Sequence, residues 1–338
     1  MKNLNLKFIA LTFLMLVSII NLPASAKEGK IIGGVTHSML PWFKDSFLEL
    51  AEDVDEAIES NKHVLLFFHL DGCPYCDHMV KEFDKPFLKG FIQQNFDVIA
   101  INIKGDKEMA LSEDEVSTEK EFSKKIGVRY TPTIVFLNQK NEVVARTNGY
   151  RKPEKLKKIL DYVSSKAYKN TTLANYIERT KKVGNYQLQS HSMFKKMTDF
   201  SAIKTPLAVI FEDSNCSACA YFHNNTLKNK AVINEFNAFN VVRLDADSTQ
   251  AIIDNKGNKT TPKDWVKKLK LNYRPGIILL NEGNEISRID GFLYTFHFKE
   301  VLRFVSGRFQ QEFATFGDYL AYRQKELLAQ GIDIDISK

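Results

Sequence analysis

The sequence predicts an α/β protein built from two tandem copies of one domain, and three observations support this prediction. The chain has 338 residues, which suggests two domains at roughly 150 residues each. Its four cysteines form two C-x-x-C pairs, and Cys216 lies 143 residues after Cys73 (216 − 73). In each half, apolar runs of strand length alternate with segments of helical period, which indicates a sheet flanked by helices.

Each half repeats the same order of features. The apolar run at 64–68 leads into D-G-C-P-Y-C, and the run at 207–211 leads into S-N-C-S-A-C. Residues 121–132 match 264–275, and both segments end in a proline. We therefore expect a helix, a strand, a C-x-x-C pair that opens a helix, a strand, a helix, a proline-led strand, a strand and a helix. The acidic stretch at 113–121 is predicted to be a solvated loop that leads into a helix.

The N-terminus has the organisation of a secretory signal peptide. Lys2 and Lys7 are followed by an apolar run that ends at Ile20, and A-S-A at 24–26 has the small-x-small pattern that favours cleavage after Ala26. The alternative is an uncleaved membrane anchor, but the apolar run is shorter than the ~18 residues that a spanning helix needs. We therefore predict a soluble chain that is exported from the cytoplasm and has no membrane span after cleavage.

These features divide the chain into three parts. We predict a signal peptide at 1–26, a first domain at 27–182 and a second domain at 183–338. The polar stretch at 181–190, which contains a glycine, is the predicted linker.

Composition excludes several function classes. With 44% hydrophobic and 26% charged residues, the chain is neither disordered nor fibrous. The net charge is only +6, and basic residues are interleaved with acids, so we predict no binding of nucleic acid or membrane surfaces.

Every cysteine belongs to a C-x-x-C pair. Because isolated thiols are a hazard in an oxidising compartment, this usage indicates that the pairs carry the function.

A C-x-x-C pair at the start of a helix is suited to redox chemistry. Unpaired backbone N–H groups and the helix dipole stabilise a thiolate there. A thiolate attacks a disulfide to form a mixed disulfide, which a second thiol resolves. We therefore predict that Cys73 and Cys216 are the nucleophiles and that Cys76 and Cys219 are the resolving cysteines. Pro74 suits the first helical position, where a missing N–H costs little.

Two other uses of the cysteines are less compatible with their spacing. Zinc knuckles lie ~15–20 residues apart, whereas 139 residues separate Cys76 from Cys216 (216 − 76 − 1); no metal site is predicted. A purely structural bridge would close a very short loop and would constrain the unfolded chain little. A Cu(I) carrier that holds the metal between two thiolates stays open, with His78 and Met79 close to the first pair.

Two prolines stand at a matching distance from the cysteine pairs. Pro132 and Pro275 each lie 56 residues after the second cysteine of their pair (132 − 76 and 275 − 219), and each opens an apolar strand. This spacing resembles that of the cis-proline loop in thioredoxin-fold proteins. Both halves resemble thioredoxins, so the predicted fold is two tandem thioredoxin-like domains, each with a central mixed sheet flanked by helices.

Five segments of the first half carry a more specific resemblance. They are P-W-F-K-D-S-F-L at 41–48, L-L-F-F-H-L-D-G-C-P-Y-C at 65–76, Y-T-P-T-I-V-F at 130–136, N-G-Y at 148–150 and D-Y-V-S-S-K-A-Y at 161–168. With these segments the first half resembles the SoxW-type periplasmic thioredoxin-related proteins of sulfur-oxidation systems. This resemblance implies a periplasmic reductase that takes electrons from a membrane thiol transporter and passes them to disulfide-bearing proteins or small sulfur compounds. No cofactor is expected.

The resemblance also implies where substrate binds. In this fold the cis-proline faces the nucleophile, and the backbone before it pairs with the substrate peptide as an added strand. Thr131 and Pro132, and likewise Arg274 and Pro275, are therefore predicted to bind substrate. A guanidinium beside Cys216 would favour its thiolate and could hold an anion through paired N–H donors. The alternative is that the Arg274 side chain points to solvent.

The chain departs from typical thioredoxins near both pairs. Gly72 and Asn215 replace the tryptophan that precedes the first cysteine, and Phe67 and Ile210 occupy the position of the buried acid six residues before it. A different base is therefore needed to deprotonate the resolving thiol.

The candidates for that base are polar residues close to each pair. His69 and Glu212 lie four residues before their cysteines, and His78 follows Cys76; each could handle a proton. The alternative for each is a solvent-facing polar residue. Pro74 and Tyr75 are predicted to tune the first pair.

The leading functional hypothesis is a thiol–disulfide oxidoreductase. Two alternatives remain: the Cu(I) carrier, and a protein in which only the first domain turns over while the second binds partners.

Overall fold

The computed structural model describes residues 27–112, 115–180, 186–214, 216 and 218–337. The predicted signal peptide and its cleavage point lie outside these residues. The predicted domain boundary at 182/183 does too, and it stays a prediction. None of the helices formed by the described residues has the length and hydropathy that a membrane span requires.

The first domain has the predicted alternation of strands and helices. Its elements are β1 (Ile31–Ile32), α1 (Leu50–Glu59), β2 (His63–His69), α2 (Pro74–Phe83), α3 (Pro86–Asn95), β3 (Phe96–Asn102), β4 (Glu108–Ser112), β5 (Glu115–Thr118), α4 (Glu119–Lys125), β6 (Thr133–Leu137), β7 (Val143–Asn148), α5 (Pro153–Ser164) and α6 (Leu173–Arg179). The main sheet has the order β3-β2-β6-β7. β2 is parallel to β3 and antiparallel to β6, so the sheet is mixed.

Both faces of this sheet are covered by helices. Leu65 and Phe67 of β2 pack in a core with α2, α3 and α5, whereas Leu66 and Phe68 pack in a second core with α1 and α4. A strand that is buried on both faces has a continuous apolar sequence instead of an alternating one. This is why β2 can be identified from the sequence.

The second domain has the same topology. Its elements are β8 (Leu207–Glu212), α7 (Cys219–Asn224), α8 (Lys230–Phe236), β9 (Asn240–Asp245), β10 (Ile252–Ile253), β11 (Lys259–Thr260), α9 (Pro262–Lys268), β12 (Gly276–Asn281), β13 (Asn284–Ile289), α10 (Thr295–Ser306), α11 (Phe316–Ala329) and β14 (Ile334–Asp335). Its main sheet has the order β13-β12-β8-β9, with β8 parallel to β9 and antiparallel to β12. The predicted pair of tandem α/β domains with mixed sheets is confirmed.

Two details differ from the prediction. Residues 186–206 contain no helix, although a first helix was expected in each half; isolated bridges at Phe194 and Asp199 attach this segment to the second domain instead. In the acidic stretch at 113–121, predicted as a loop that leads into a helix, residues 115–118 form β5, which pairs with β4, and residues 119–121 begin α4. Thr118 then begins α4 with a capping box, because its side chain accepts from the Glu121 N–H while Glu121 accepts from the Thr118 N–H.

The two domains contact each other through the loops that follow β7 and β13. A Cβ atom at Gly291 would lie 2.7 Å from the Asn148 carbonyl oxygen and 3.2 Å from the Gly149 Cα atom, so only glycine allows this approach. Arg151 is 1% exposed and donates both to the Asn148 carbonyl of its own domain and to the Asp290 carbonyl of the other. In addition, β1 pairs in parallel with β14.

Candidate active sites

The first cysteine pair lies where β2 is followed by α2. Cys73 is the N-cap of α2, Pro74 is at the start of the helix, and the Cys76 N–H donates to the Cys73 Sγ atom at 3.1 Å. Cys73 and Cys76 form a disulfide with their Cα atoms 5.3 Å apart. Cys73 is 7% exposed and Cys76 is 0% exposed, so Cys73 is the more accessible of the two; the roles of nucleophile and resolving cysteine stay predictions.

A cis peptide bond lies beside this disulfide. The Thr131–Pro132 bond is cis, as the sequence predicts, and Pro132 directly precedes β6. The Thr131 hydroxyl donates to the Cys73 Sγ atom at 3.4 Å. The structure therefore brings together residues that are 58 positions apart, and a thiolate at Cys73 would accept a hydrogen bond from Thr131.

The predicted proton-handling histidines of the first site differ in burial. The His69 ring stacks on Phe67 and contacts the edge of His37. Burial lowers the pKa of His69 to about 4, so this imidazole is neutral near pH 7 and can only accept a proton. Its buried Nδ1 atom has no hydrogen-bond partner among the described residues. His78 is exposed and lies edge-on to Tyr150.

Tyr75, between the two cysteines of the first pair, is buried by the other domain. Its hydroxyl accepts a hydrogen bond from the Tyr294 N–H at 2.5 Å, and its ring stacks on Tyr294 with centroids 4.9 Å apart. Burial raises the pKa of this phenol above its usual value of 10.0. The sequence suggested a tuning role for Tyr75 but gave no sign of this contact.

The second cysteine pair lies in the matching loop after β8. Cys216 and Cys219 form a disulfide with Cα atoms 5.3 Å apart, and they are 1% and 0% exposed. The Arg274–Pro275 bond is cis and directly precedes β12. The expectation that the first cysteine begins a helix is wrong here, because α7 begins at Cys219. No proline follows Cys216 to preset a helical φ, as Pro74 does in the first site.

Arg274 has a partner that the sequence did not predict. Its Nε atom donates to the Asp213 Oδ2 atom at 3.0 Å, and its Nη1 atom donates to the Tyr273 carbonyl at 2.9 Å. The Arg274 and Asp213 side chains are 14% and 4% exposed. The carboxylate offsets the guanidinium charge, which weakens the electrostatic effect that Arg274 would have on a Cys216 thiolate; substrate binding by Arg274 and Pro275 stays a prediction. The solvent-facing alternative is wrong.

Glu212, predicted to handle a proton, lies in a buried polar cluster. It is 0% exposed, and its Oε1 atom lies 2.8 Å from the Nε2 atom of His223 on α7. The Nη1 atom of Arg243 lies 4.0 Å from the Glu212 Oε2 atom. The solvent-facing alternative is therefore wrong for Glu212. Sequence reasoning missed His223, although its position four residues after Cys219, one helical turn away, was a signal that could have identified it.

Each site can therefore exist as a disulfide or as a dithiol. In the first pair Cys73 is the more exposed cysteine, whereas both cysteines of the second pair are buried. Each pair has a cis-proline in its own domain. Within the described residues, no group of three or more His, Cys, Asp or Glu side chains is arranged to hold a metal ion.

Comparison with known proteins gives a family match. The sequence profile of the thioredoxin-like domain family matches residues 50–164 and 193–306. No curated protein sequence matches the chain. Similar solved structures include a thioredoxin-fold protein from Helicobacter pylori, with 23% identity, a TM-score of 0.31, and coverage of 35% of this chain and 84% of that chain. A thioredoxin from Thermus thermophilus has 25% identity, a TM-score of 0.29, and coverage of 35% of this chain and 85% of that chain. A disulphide isomerase from Xylella fastidiosa has 18% identity, a TM-score of 0.25, and coverage of 41% of this chain and 93% of that chain.

Proposed function

The chain belongs to the thioredoxin-like domain family, and from this membership we propose that it is an exported, periplasmic thiol–disulfide oxidoreductase with two redox sites. The observation that carries the proposal is the geometry of the first site. There the more exposed cysteine caps a helix, and the Thr131 hydroxyl donates to its sulfur at 3.4 Å. The N–H groups at the start of α2 and the Thr131 hydroxyl both favour a thiolate at Cys73.

The reaction at the first site has two steps. The Cys73 thiolate attacks one sulfur of a substrate disulfide, which forms a mixed disulfide and releases the other sulfur as a thiolate. Cys76 loses its proton and attacks the Cys73 Sγ atom, which forms the Cys73–Cys76 disulfide and releases the second substrate thiolate. Two electrons pass from the protein to the substrate. An external dithiol donor must then reduce the protein disulfide again.

The same two steps are proposed for the second site, with Cys216 as nucleophile and Cys219 as resolving thiol. Here the buried pair of Glu212 and His223 is the proposed acceptor for the proton of Cys219. It supplies the base that Ile210, at the usual position of the buried acid, cannot supply. The Cys216 thiolate receives less help from the helix, because α7 begins three residues later. We therefore propose sites of unequal reactivity.

The direction of electron transfer and the biological setting are proposed from the resemblance of the first half to SoxW-type proteins. We propose a reductase that receives electrons from a membrane thiol transporter and acts on disulfide-bearing proteins or small sulfur compounds of sulfur oxidation. Separate reduction potentials for the two pairs test the direction. Potentials near −270 mV would match a reducing thioredoxin, whereas values near −120 mV would match a strong oxidant and would contradict the proposal.

Insulin reduction tests the activity itself. We expect the wild type to accelerate insulin precipitation with dithiothreitol as donor. We also expect Cys76→Ser to trap a mixed disulfide that is visible on a non-reducing gel. The matched control is Cys73→Ser with Cys76→Ser, which should trap nothing through the first site. No acceleration and no trapped species would contradict the proposed function.

A second candidate is that the second domain binds partners without turning over. The late start of α7 favours this candidate, because it leaves Cys216 without a helix N-terminus. The variant Cys73→Ala separates the two possibilities. Insulin reduction that persists in this variant shows that the second site turns over, whereas complete loss supports a binding role.

A further inference from the structure

The loops that carry the two cis-prolines each contact the opposite domain. Tyr130 and Tyr273 occupy equivalent positions, two residues before Pro132 and Pro275. The Tyr130 hydroxyl lies 2.8 Å from the Ser287 Oγ atom of the second domain. Tyr273 in turn lies beneath cations of the first domain. The Arg151 guanidinium is 4.9 Å from its ring centroid and the Lys155 Nζ atom is 5.2 Å from it.

The first site is also covered directly. Tyr75 is 6% exposed, and the aromatic rings that contact its ring belong to the segment that follows β13. Its centroid lies 4.9 Å from that of Tyr294, 5.6 Å from that of His297 and 6.3 Å from that of Phe292. We call this segment, residues 291–297, the cover.

One cleft between the domains is small. It has a volume of about 20 Å³ and is lined by Tyr130, Asn148 and Gly149 on one side and by residues 288–293 on the other. This volume holds about one water molecule. A polypeptide segment therefore does not fit into this cleft, next to Tyr130, while the domains are in contact.

Substrate access follows from bond geometry. A mixed disulfide places the substrate sulfur about 2.05 Å from the Cys73 Sγ atom. A protein attached there must pass close to Thr131, whose hydroxyl lies 3.4 Å from the Cys73 Sγ atom, and to Tyr75, two residues after Cys73. The residue before Thr131 contacts the second domain, and Tyr75 contacts the cover, so the second domain lies close on both sides. A small disulfide requires far less of it.

We infer that the second domain determines the substrate specificity of the Cys73 site. In the closed arrangement the site reacts with small disulfides and thiols, and protein disulfides react only after the domains separate. Interfaces between domains of one chain resemble transient protein interfaces, so separation of this kind is physically accessible. The contacts here are hydrogen bonds, cation–ring contacts, a few aromatic rings and the two-residue pairing of β1 with β14. This inference rests on the proposed oxidoreductase function.

The experiment compares two substrates for one site. All variants carry Cys216→Ser and Cys219→Ser, so that only the first site reacts. The reduced proteins are mixed with insulin or with hydroxyethyl disulfide, and the rates are measured. The opening variant is Phe292→Ala with Tyr294→Ala, which removes two rings from Tyr75. The matched control is Tyr322→Ala, an aromatic residue on α11 that is 51% exposed.

We expect the opening variant to reduce insulin about tenfold faster than the background protein, because loss of two aromatic contacts favours the separated domains. Its rate with hydroxyethyl disulfide should change less than about twofold, and Tyr322→Ala should change neither rate. A milder variant, Tyr130→Phe, removes only the hydrogen bond to Ser287 and should raise the insulin rate about threefold. It serves as the test if the double variant does not fold.

Contrary results overturn the inference in distinct ways. Equal changes with both substrates would show that the cover affects reactivity and not access. Unchanged rates in both variants would show that it does not limit access. If the background protein reacts with neither substrate, the proposed function itself fails. In that case small-angle scattering tests the separation of the domains independently of activity. An unchanged radius of gyration in the opening variant would exclude this separation.

Discussion

The Nε2 atom of His223 lies 2.8 Å from the Oε1 atom of Glu212, and both side chains are almost completely excluded from solvent. Glu212 is the last residue of β8, and His223 lies on α7. The pair therefore connects the strand that precedes the second cysteine pair to the helix that carries Cys219. A buried polar pair of this kind should contribute both to stability and to proton transfer.

Removing either partner should destabilise the protein. We expect Glu212→Ala and His223→Ala each to lower the free energy of unfolding by about 2 kcal/mol, because the remaining partner is left buried without a hydrogen bond. In the double variant the losses should be less than additive by about 1 kcal/mol or more. Urea titrations of the second-domain transition measure this. The exposed Glu312→Ala should change stability by less than about 0.5 kcal/mol, and strictly additive losses would show that the pair is not coupled.

Glu212→Gln tests proton transfer separately from stability. Glutamine keeps the size and hydrogen-bonding capacity of the side chain but cannot accept a proton. In a protein with Cys73→Ser and Cys76→Ser, we expect Glu212→Gln to slow insulin reduction by roughly tenfold or more, since general-base catalysis contributes at least that much. Stopped-flow rates at several pH values measure the effect. An unchanged pH–rate profile would rule out a proton role for Glu212.

The Thr131 hydroxyl should support the reactivity of Cys73. Thr131→Val keeps the shape of the side chain but removes the hydroxyl that donates to the Cys73 Sγ atom. Hydrogen bonds to charged groups are worth about 1.5–3 kcal/mol, so loss of this donor should slow attack on hydroxyethyl disulfide at pH 7 by about tenfold. Thr131→Ser, which keeps the donor, is the matched control. Equal rates for the valine and serine variants would contradict this prediction.

The ion pair of Asp213 and Arg274 should lower the reactivity of the Cys216 thiol. Asp213→Asn leaves the guanidinium charge without its carboxylate partner at 3.0 Å. A positive charge near the sulfur favours the thiolate, so we expect alkylation of reduced Cys216 by iodoacetamide at pH 7 to become about threefold faster. Asp213→Asn with Arg274→Gln should return the rate to that of the parent. If the rate does not change, the Arg274 charge does not act at Cys216.

Acid should destabilise the protein through buried histidines. Burial lowers the pKa of His69 to about 4 from 6.5, so the unfolded state binds this proton first as pH falls. The contribution of neutral His69 to the free energy of unfolding is present in full above pH 6.5, and it is lost progressively as the pH falls to 4. His69→Phe should reduce the pH dependence of the free energy of unfolding by up to about 1.4 kcal/mol per pH unit in that window. His78→Phe, at an exposed position, is the matched control; equal slopes for both variants would refute the prediction.

Much of the fold was accessible from the sequence because its signals are local. The strands β2 and β8 are continuous apolar runs since both of their faces are buried, and Pro74 fixed the start of α2. The missing helix at 186–206 and the hairpin of β4 and β5 were not predicted. Short segments of this kind take their conformation from the surfaces against which they pack, and local propensity does not decide it.

The amino-acid sequence by itself determined the two domains, the paired cysteines and the prolines opposite them. These follow from residue order, since the chemistry of a C-x-x-C pair depends on neighbours three positions apart. Only the tertiary structure decided that Arg274 is balanced by Asp213, that Glu212 contacts His223, and that Tyr75 is covered by Tyr294. Each of these contacts joins residues that are distant along the chain, and burial of their charges and rings depends on how the elements pack.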